Sequence, residues 1–497
     1  MLAAQPAIDY TAGRAWSDLG QIAPIAIVTG TLLVAMVVDL LLPRRARGPA
    51  VALIASVGML GALIGCVLRW QYSTGGPAYY GFASGDNFAL FFEMLFSVLG
   101  VLTIAVSHSY VQRRGLLEAE LHVLTLAAVA GMMVLAAATS LVSIFLGLEI
   151  LSIALYIASA YHRGETKSQE AGAKYLLVGS FASAFVLYGM ALIYGATGTT
   201  VLPEIARAVT AENSSNSLLL TGVILMGVGF AFKVSAAPFH MWTPDVYEGA
   251  PLPVTAFMSV GTKAAAFAMI IRVFNGGLPH LAVEWQALLA FVAAVSMVVG
   301  NLMAIVQPGF KRMMAYSGIA HAGYILIGVI AGGRAGIGAV LFYLFAYVFM
   351  NFGAFAVVSV LAGRTGDRDK LTNLDGFGYR NPLLGILLTV FMLSLAGFPP
   401  LVGFIAKFFI FTAGVSAGYT WLVLLAVLMS VVSVYYYLRV VIHVWTPLES
   451  GEKGRYAIGP VSAVMVSALM SLVLGLLPSI LFGLGLVGAG TVVAASP

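Results

Sequence analysis

Charge is what this chain has least of: Asp, Glu, Lys and Arg make up 9% of its 497 residues, where a soluble domain carries about 25%. So little charge cannot solvate a surface on all sides, which excludes a soluble enzyme. Cysteine is almost missing as well. The single thiol, Cys66, lies in an apolar run and cannot build an iron–sulfur cluster, a CxxCH haem attachment or a disulfide framework, so covalent redox chemistry is excluded. No P-loop or dinucleotide-binding loop precedes a predicted helix, so no ATP or NADH site is expected. Haem ligation needs histidines stacked at matched depth, and no span carries two at helical spacing. No metal site and no nucleic-acid partner is expected. Residues 1–20 hold two Asp, one Arg and no positive n-region, so no cleavable signal peptide is expected either.

Hydrophobic residues make up 61% of the chain. They fall into fourteen spans of about 20 residues, each long enough to cross about 30 Å of hydrocarbon: 21–42, 50–70, 88–107, 120–138, 141–160, 171–195, 218–242, 253–274, 285–306, 313–331, 336–362, 381–416, 419–446 and 459–487. In a bilayer such runs must be helices, because backbone groups find no other partner. The fold class is an all-α polytopic membrane protein. Two spans are interrupted, the seventh at Lys233-Val-Ser-Ala-Ala-Pro238 and the twelfth at Ala396-Gly-Phe-Pro-Pro-Leu-Val-Gly403. Proline removes a donor and clashes with the carbonyl four residues back, so the carbonyls of Val234, Leu395 and Ala396 should be free. Gly61-Ala-Leu-Ile-Gly65 reads as a small-xxx-small helix contact.

Loop charges set the orientation. One side has fifteen Lys and Arg: Arg44, Arg45, Arg47, Arg113, Arg114, Arg163, Lys167, Lys311, Arg312, Arg364, Arg368, Lys370, Arg380, Lys453 and Arg455. The other has five: Arg14, Arg69, Arg207, Arg272 and Arg334. By the positive-inside rule the rich side is cytoplasmic and both termini are outside. Spans four to eight and nine to thirteen read as two five-helix repeats. An odd number of helices inverts the second, and broken helices at matching positions of inverted repeats point to a transport site near the midplane. The resulting units are 1–119 (three helices), 120–274 (first repeat), 275–446 (second repeat) and 447–497 (C-terminal helix).

The intramembrane ionisable residues are Glu149, Lys174, Lys233, Lys263, Lys407 and Arg439, with Asp39 and Glu93 nearer span ends. Each costs about 2.5 to 3.5 kcal/mol at a helix centre on insertion scales. Lys174 and Arg439 lie close enough to the cytoplasmic ends to snorkel. Lys233, Lys263 and Lys407 lie several turns from either loop, and Glu149 is too short to reach water. Glu149 and a lysine form either a fixed pair holding helices together or a pair that changes state. Opposite charges about 4 Å apart interact by about 4 kcal/mol at an effective dielectric of 20. Carrying one charge through 100 mV costs about 2.3 kcal/mol, so breaking one such pair matches the work of ejecting a proton. His240, two residues after Pro238, and His321, beside Tyr316 and Ser317, are candidate relays, although a lone membrane histidine serves equally well as a packing residue.

The run Phe232-Lys-Val-Ser-Ala-Ala-Pro-Phe-His-Met-Trp-Thr-Pro-Asp-Val-Tyr-Glu-Gly-Ala-Pro251 resembles the subunit N family of antiporter-like membrane proteins in bacterial proton-translocating NADH:quinone oxidoreductase, respiratory complex I. So do Leu146-Gly-Leu-Glu149, the run from Thr255 through Lys263 to Ala266, the run from Lys311 through His321 to Tyr324, and the run from Ala396 to Lys407. Asp245-Val-Tyr-Glu-Gly-Ala-Pro251 discriminates best, because sister subunits and cation/proton antiporters usually differ there. The resemblance implies a non-redox, proton-translocating subunit in a bacterial inner membrane. Glu149 and Lys233 would be its coupled pair, Lys263 the central relay and Lys407 the lysine of exit, with Lys174, His240 and His321 accessory. Thr262 departs from the proline often found before that central lysine. Flavin, iron–sulfur clusters and quinone would belong to partner subunits, so no cofactor is expected in this chain. Its partners would be neighbouring antiporter-like and small membrane subunits, the lipid bilayer and protons. The competing reading is a subunit of a multi-subunit sodium/proton antiporter.

Overall fold

A computed structural model describes residues 12–73, 76–210, 212, 214–361, 367, 369–447 and 457–494. Arg364, Arg368, Lys453 and Arg455, four of the charges used to orient the chain, lie outside the described residues. α1 (Ala12–Gln21), α2 (Ala23–Leu41) and α3 (Arg44–Arg69) lead to a small hairpin, β1 (Pro77–Ala78) and β2 (Ala83–Ser84), and to α4 (Asn87–Arg114). α5 (Glu118–Ala137), α6 (Leu141–Ser159) and α7 (Thr166–Thr197) precede the short α8 (Leu202–Ala208) and the pair α9 (Ser217–Lys233) and α10 (Trp242–Gly249). Next come α11 (Leu252–Ile270), α12 (Ala282–Ile305), α13 (Phe310–Ala331), α14 (Gly333–Tyr347) and α15 (Gly353–Leu361). After α16 (Phe377–Arg380) the chain ends with α17 (Pro382–Ala396), α18 (Val402–Ser416), α19 (Thr420–Trp445), α20 (Ile458–Leu476) and α21 (Pro478–Ala494).

Among the described residues, twelve helices are long and apolar enough to cross a membrane, and α9, α17, α18 and α21 are shorter apolar pieces. Local chemistry sets several ends. Asp86 caps α4 by accepting from the Ala89 N–H at 2.8 Å, Ser140 and Ser143 form a capping box on α6, and Asn216 accepts from Leu218 N at 2.9 Å on α9. The apolar stretches of α11 and α13 are wholly buried, whereas α2, α3 and α19 line the outside of the bundle. Of the residues singled out in the sequence, Lys263 and His321 ride on these innermost helices.

Both predicted interruptions are present. α9 stops at Lys233, the chain turns through Ser235 (φ 62°), and α10 begins at Trp242, whose indole N–H reaches the Phe232 carbonyl at 3.1 Å. α17 and α18 are separated by Gly397–Leu401, with Gly403 N–H donating to Ser394 Oγ at 3.2 Å. A third break was missed. The span expected over 459–487 is divided between α20 and α21 at Leu477–Pro478, because Pro478 cannot continue a helix. Residues 271–277 and 348–352 are π-helical, a detail that apolar runs do not announce.

The tightest helix contacts also lie away from the predicted one. Gly61 and Gly65 meet only Ile27 at ordinary distance, 3.7 and 3.6 Å from where a Cβ would sit. Gly131 on α5 and Gly147 on α6 are the close pair: a Cβ on Gly131 would lie 2.5 Å from Leu151 N, and one on Gly147 2.8 Å from Leu135 N. Arg272, counted among the loop charges, is instead buried in a bidentate pair with Asp86 at 2.6 and 2.7 Å and donates to Ala136 O at 3.1 Å. Asp86 thus serves as both cap and counter-ion, and removing either partner would leave a buried charge alone, a loss of about 3 to 5 kcal/mol.

Candidate functional site

Lys233 closes α9 next to the first break and is 7% exposed. Its Nζ donates to Ser152 Oγ on α6 at 2.7 Å and lies 5.8 Å from the Tyr156 ring centre. Glu149 sits one turn before Ser152 on the same helix, half-buried, with Oε1 buried and unpartnered. Among the described residues no ion pair within 4.0 Å joins Glu149 to Lys233. The expected pair is therefore not in direct contact: Lys233 is held by Ser152, whose hydroxyl donates in turn to the Leu148 carbonyl. Ser152 stands at the end of the Glu149 motif, and its spacing of three residues from the carboxylate was the available signal for its role.

Lys263 lies on α11, 1% exposed, and its Nζ is buried without a hydrogen-bond partner. It fits against α13 because Gly318 has no side chain: a Cβ there would be 2.4 Å from Nζ and 3.4 Å from Tyr347 Oη, itself buried and unpartnered. One turn further along α13, His321 contacts two tyrosines, with Nδ1 2.6 Å from Tyr343 Oη and Nε2 3.0 Å from Tyr437 Oη. Tyr437 also bonds Ser317 Oγ at 2.5 Å. Of the neighbours expected for His321, Ser317 thus connects through Tyr437, while Tyr316 stacks edgewise on His240 at 6.4 Å. Tyr343 and Tyr437 escaped the sequence reading. A tyrosine in an apolar run looks the same as a packing aromatic, and only the fold aims its hydroxyl.

Lys407 follows the second break on α18, 5% exposed. Its Nζ donates to the Ala396 carbonyl at 2.9 Å and to Ser430 Oγ at 2.8 Å. The carbonyl released by Pro400 is therefore taken directly by the lysine. The ammonium also lies 5.4 Å from the centre of the Tyr324 ring, which packs against His321 at 5.7 Å. Lys263, His321 and Lys407 are brought into one connected region; Lys233 and Glu149 form a separate cluster across the bundle.

Two predicted accessory residues lie nearer the surface. Lys174 is 44% exposed and pairs with Glu170 at 2.7 Å and Asp245 at 2.9 Å, in a network that continues through Arg312 to Glu248 and Lys167. It snorkels into an ion network. His240 is half-buried, its Nδ1 unpartnered. Arg439 serves structure, donating to the Ile305 carbonyl at 2.7 Å and to the Gln307 carbonyl at the end of α12. On the same face as the ion network, Lys311 pairs with Asp367 at 2.6 Å and Arg114 with Glu165 at 2.5 Å. Burial alone would raise the Asp367 carboxyl, but Lys311 holds it below the usual carboxylate range. Glu165 is lowered in the same way, with His162 and Arg114 outweighing burial.

Three buried lysines, each met by a hydroxyl, a carbonyl or nothing, are groups that can release a proton without leaving a carboxylate stranded. Residues 138–433 match the family model described as NADH:quinone oxidoreductase/Mrp antiporter, TM. NADH-quinone oxidoreductase subunit N of Trichlorobacter lovleyi is 45% identical over 471 residues, covering 93% of this chain and 95% of the relative. A chain of respiratory complex I from Thermus thermophilus superposes with TM-score 0.79 at 36% identity, over 93% of this chain and 98% of that one. A chain of the Mrp complex from Dietzia sp. superposes with TM-score 0.84 over 95% of this chain and 97% of that one, at 21% identity, a likeness of fold alone.

Proposed function

Because this chain belongs to the family of NADH-quinone oxidoreductase subunit N, we propose that it moves protons through the membrane arm of that complex by way of Glu149, Lys233, Lys263 and Lys407. The observation that carries the reading is the absence of a paired carboxylate beside the three buried lysines among the described residues. A lysine locked to a carboxylate keeps its proton. A desolvated lysine facing hydroxyls and carbonyls exchanges it. Lys263 hands its proton to the Ser317, Tyr437 and His321 network, and Lys407 receives it at the second broken helix. Glu149 and Lys233 sense each other through their charges, and the carboxylate sets when Lys233 releases. Lys174, His240 and His321 are accessory. NADH oxidation and quinone reduction take place in partner subunits, which hold the flavin, the clusters and the quinone.

The chain is a multi-pass membrane protein. It crosses fourteen times, with the interrupted helices of two inverted five-helix repeats as the seventh and twelfth crossings and both termini outside. Residues 1–119 and 447–497 flank the repeats at 120–274 and 275–446. Arg45→Cys and Arg364→Cys should be labelled by a membrane-impermeant thiol reagent only from the cytoplasm. The native thiol Cys66 is buried and gives no background. Labelling of either position from outside would reverse the orientation.

The mechanism is tested at Glu149 and Lys233. Glu149→Ala and Lys233→Ala should each cut the protons pumped per NADH oxidised in assembled complex by tenfold or more in this subunit's share, of the order expected for losing one acid–base group, about 10²-fold in rate. A swapped double variant, Glu149→Lys with Lys233→Glu, should stay impaired, because the direction of transfer depends on which helix carries the lysine. Restored pumping in the swap would make the pair a fixed tie between helices.

A further inference from the structure

The hairpin joining α4 to α5 holds a cluster that the lysine path does not use. His108 on α4 bonds through Nδ1 to Glu118 Oε1 in the first turn of α5, and the same oxygen lies 3.4 Å from Nε2 of His122, one turn deeper. Side-chain exposure falls along this series from 43% at His108 to 9% at Glu118 and 0% at His122. The three side chains form a ladder from water into the bundle on the face that carries most of the Lys and Arg.

The ladder does not stop at a satisfied group. His122 Nδ1 is buried with no partner, and so is Ser107 Oγ on α4. Ser107 also lines a cavity of about 10 Å³, whose wall is otherwise Thr103, Thr125 and apolar residues of α5, α6 and α11, Val254 and Phe257 among them. That is space for about one water, and the hydroxyls supply polar partners for it. Phe257 and Val254 belong to α11, with Phe257 six residues before Lys263. Charged and polar neighbours do not close the cluster off. Gln112 Nε2 lies 3.3 Å from His108 Nε2, Gly48 of α3 packs against Glu118, and Arg47 is turned to the Leu42 carbonyl at 2.6 Å. A simple clasp between the two helices explains the bonds to Glu118. It leaves the unpartnered inner nitrogen and the unpartnered serine without a purpose.

We propose that His108, Glu118 and His122 are a proton inlet that feeds α11, and through it Lys263, by one water held at Ser107. A proton taken up by His108 passes to the Glu118 carboxylate and then to His122 Nε2. His122 releases its other ring proton from Nδ1 to the water, and a rotation of the ring about its Cβ–Cγ bond then restores the starting arrangement, so no net charge is left behind. This inference rests on the proton-translocating reading and deepens it.

The test is proton pumping per NADH oxidised by the assembled complex in vesicles, measured from about pH 6 to about pH 9. An inlet limits transport when bulk protons are scarce. Glu118→Gln and His122→Ala should therefore pump near the wild-type ratio at the acidic end and fall at least about threefold below it at the alkaline end. Added imidazole should restore the His122→Ala deficit, since a diffusible ring can carry the proton across the gap. If His122→Ala fails to assemble, Ser107→Ala carries the same test, because it removes only the unpartnered hydroxyl. Wild-type pumping at all pH values in Glu118→Gln and Ser107→Ala overturns the inlet, as does a deficit that is independent of pH and untouched by imidazole. Lys263→Met serves as the reference. Unaltered pumping in that variant speaks against the proton-carrying reading itself, whereas a deficit there with no effect at Glu118 and Ser107 removes only the inlet.

Discussion

Complexes carrying Lys407→Met or Lys263→Met assemble but lose this subunit's protons, with transfer at the altered site slowed by about 10²-fold or more. Methionine keeps much of the stem volume, so the packing of α18 on α13 and α14 and of α11 on α4 survives. The titratable group is gone. At Lys407 the variant also strands the Ala396 carbonyl, which the lysine satisfies at 2.9 Å, so its thermal midpoint should fall slightly. At Lys263 the Nζ has no hydrogen bond to lose, and the defect should appear in transport alone. Arginine at either position should fail as well, because guanidinium holds its proton throughout the physiological range. Protons pumped per NADH oxidised, measured in assembled complex, decide the matter. Arginine variants that pump at the wild-type ratio would mean that only a positive charge is needed, and the carrier role would fall.

Gly403→Ala should prevent stable accumulation of the chain. The two halves of the second broken helix meet so closely that a Cβ on Gly403 would lie 1.8 Å from the Ser394 carbonyl oxygen and 2.7 Å from its carbon. Those atoms are the backbone of the fully buried Ser394 and cannot swing away as a side-chain tip would. Opening the turn would also break the Gly403–Ser394 bond and move Lys407, one turn on, away from Ala396. A loss of roughly 3 kcal/mol is expected, at the upper end for an added methyl group. Gly61→Ala is the matched control: its Cβ would meet Ile27 at an ordinary 3.7 Å and should shift stability by no more than about 0.5 kcal/mol. The amount of folded chain in purified membranes and its thermal midpoint distinguish the two. Equal accumulation of both variants would show that the break tolerates more space than its geometry indicates.

The parts that were legible in the sequence are those where one residue type has one physical consequence. Pro238, Pro399 and Pro400 cannot continue a helix, so two breaks were readable, and Lys233, Lys263 and Lys407 stood out because a charge in hydrocarbon needs a reason. Pro478 carried the same signal and was passed over inside a long apolar run. Partners were harder. Ser152, Ser430, Tyr343 and Tyr437 are ordinary residues of apolar helices, and a helix that is apolar all round gives no periodicity from which to read its inward face. The same blindness hid the Gly131–Gly147 contact and the bond between Asp86 and Arg272, whose members lie 186 residues apart. Glu149 and Lys233 were expected as a coupled pair, but Ser152, which takes the lysine's hydrogen bond, becomes visible only in the fold.

Asp86 belongs to two contracts at once, since it holds the first turn of α4 and neutralises Arg272 at the end of α11. The segment from α1 through α4, Asp86 included, is for this reason no detachable prefix. A shortened chain beginning at α5 would expose an apolar flank and also abandon a guanidinium in the interior. Any viable truncation must therefore change Arg272 to an apolar residue in the same step, and one that keeps the arginine must bring an acid from another chain to meet it.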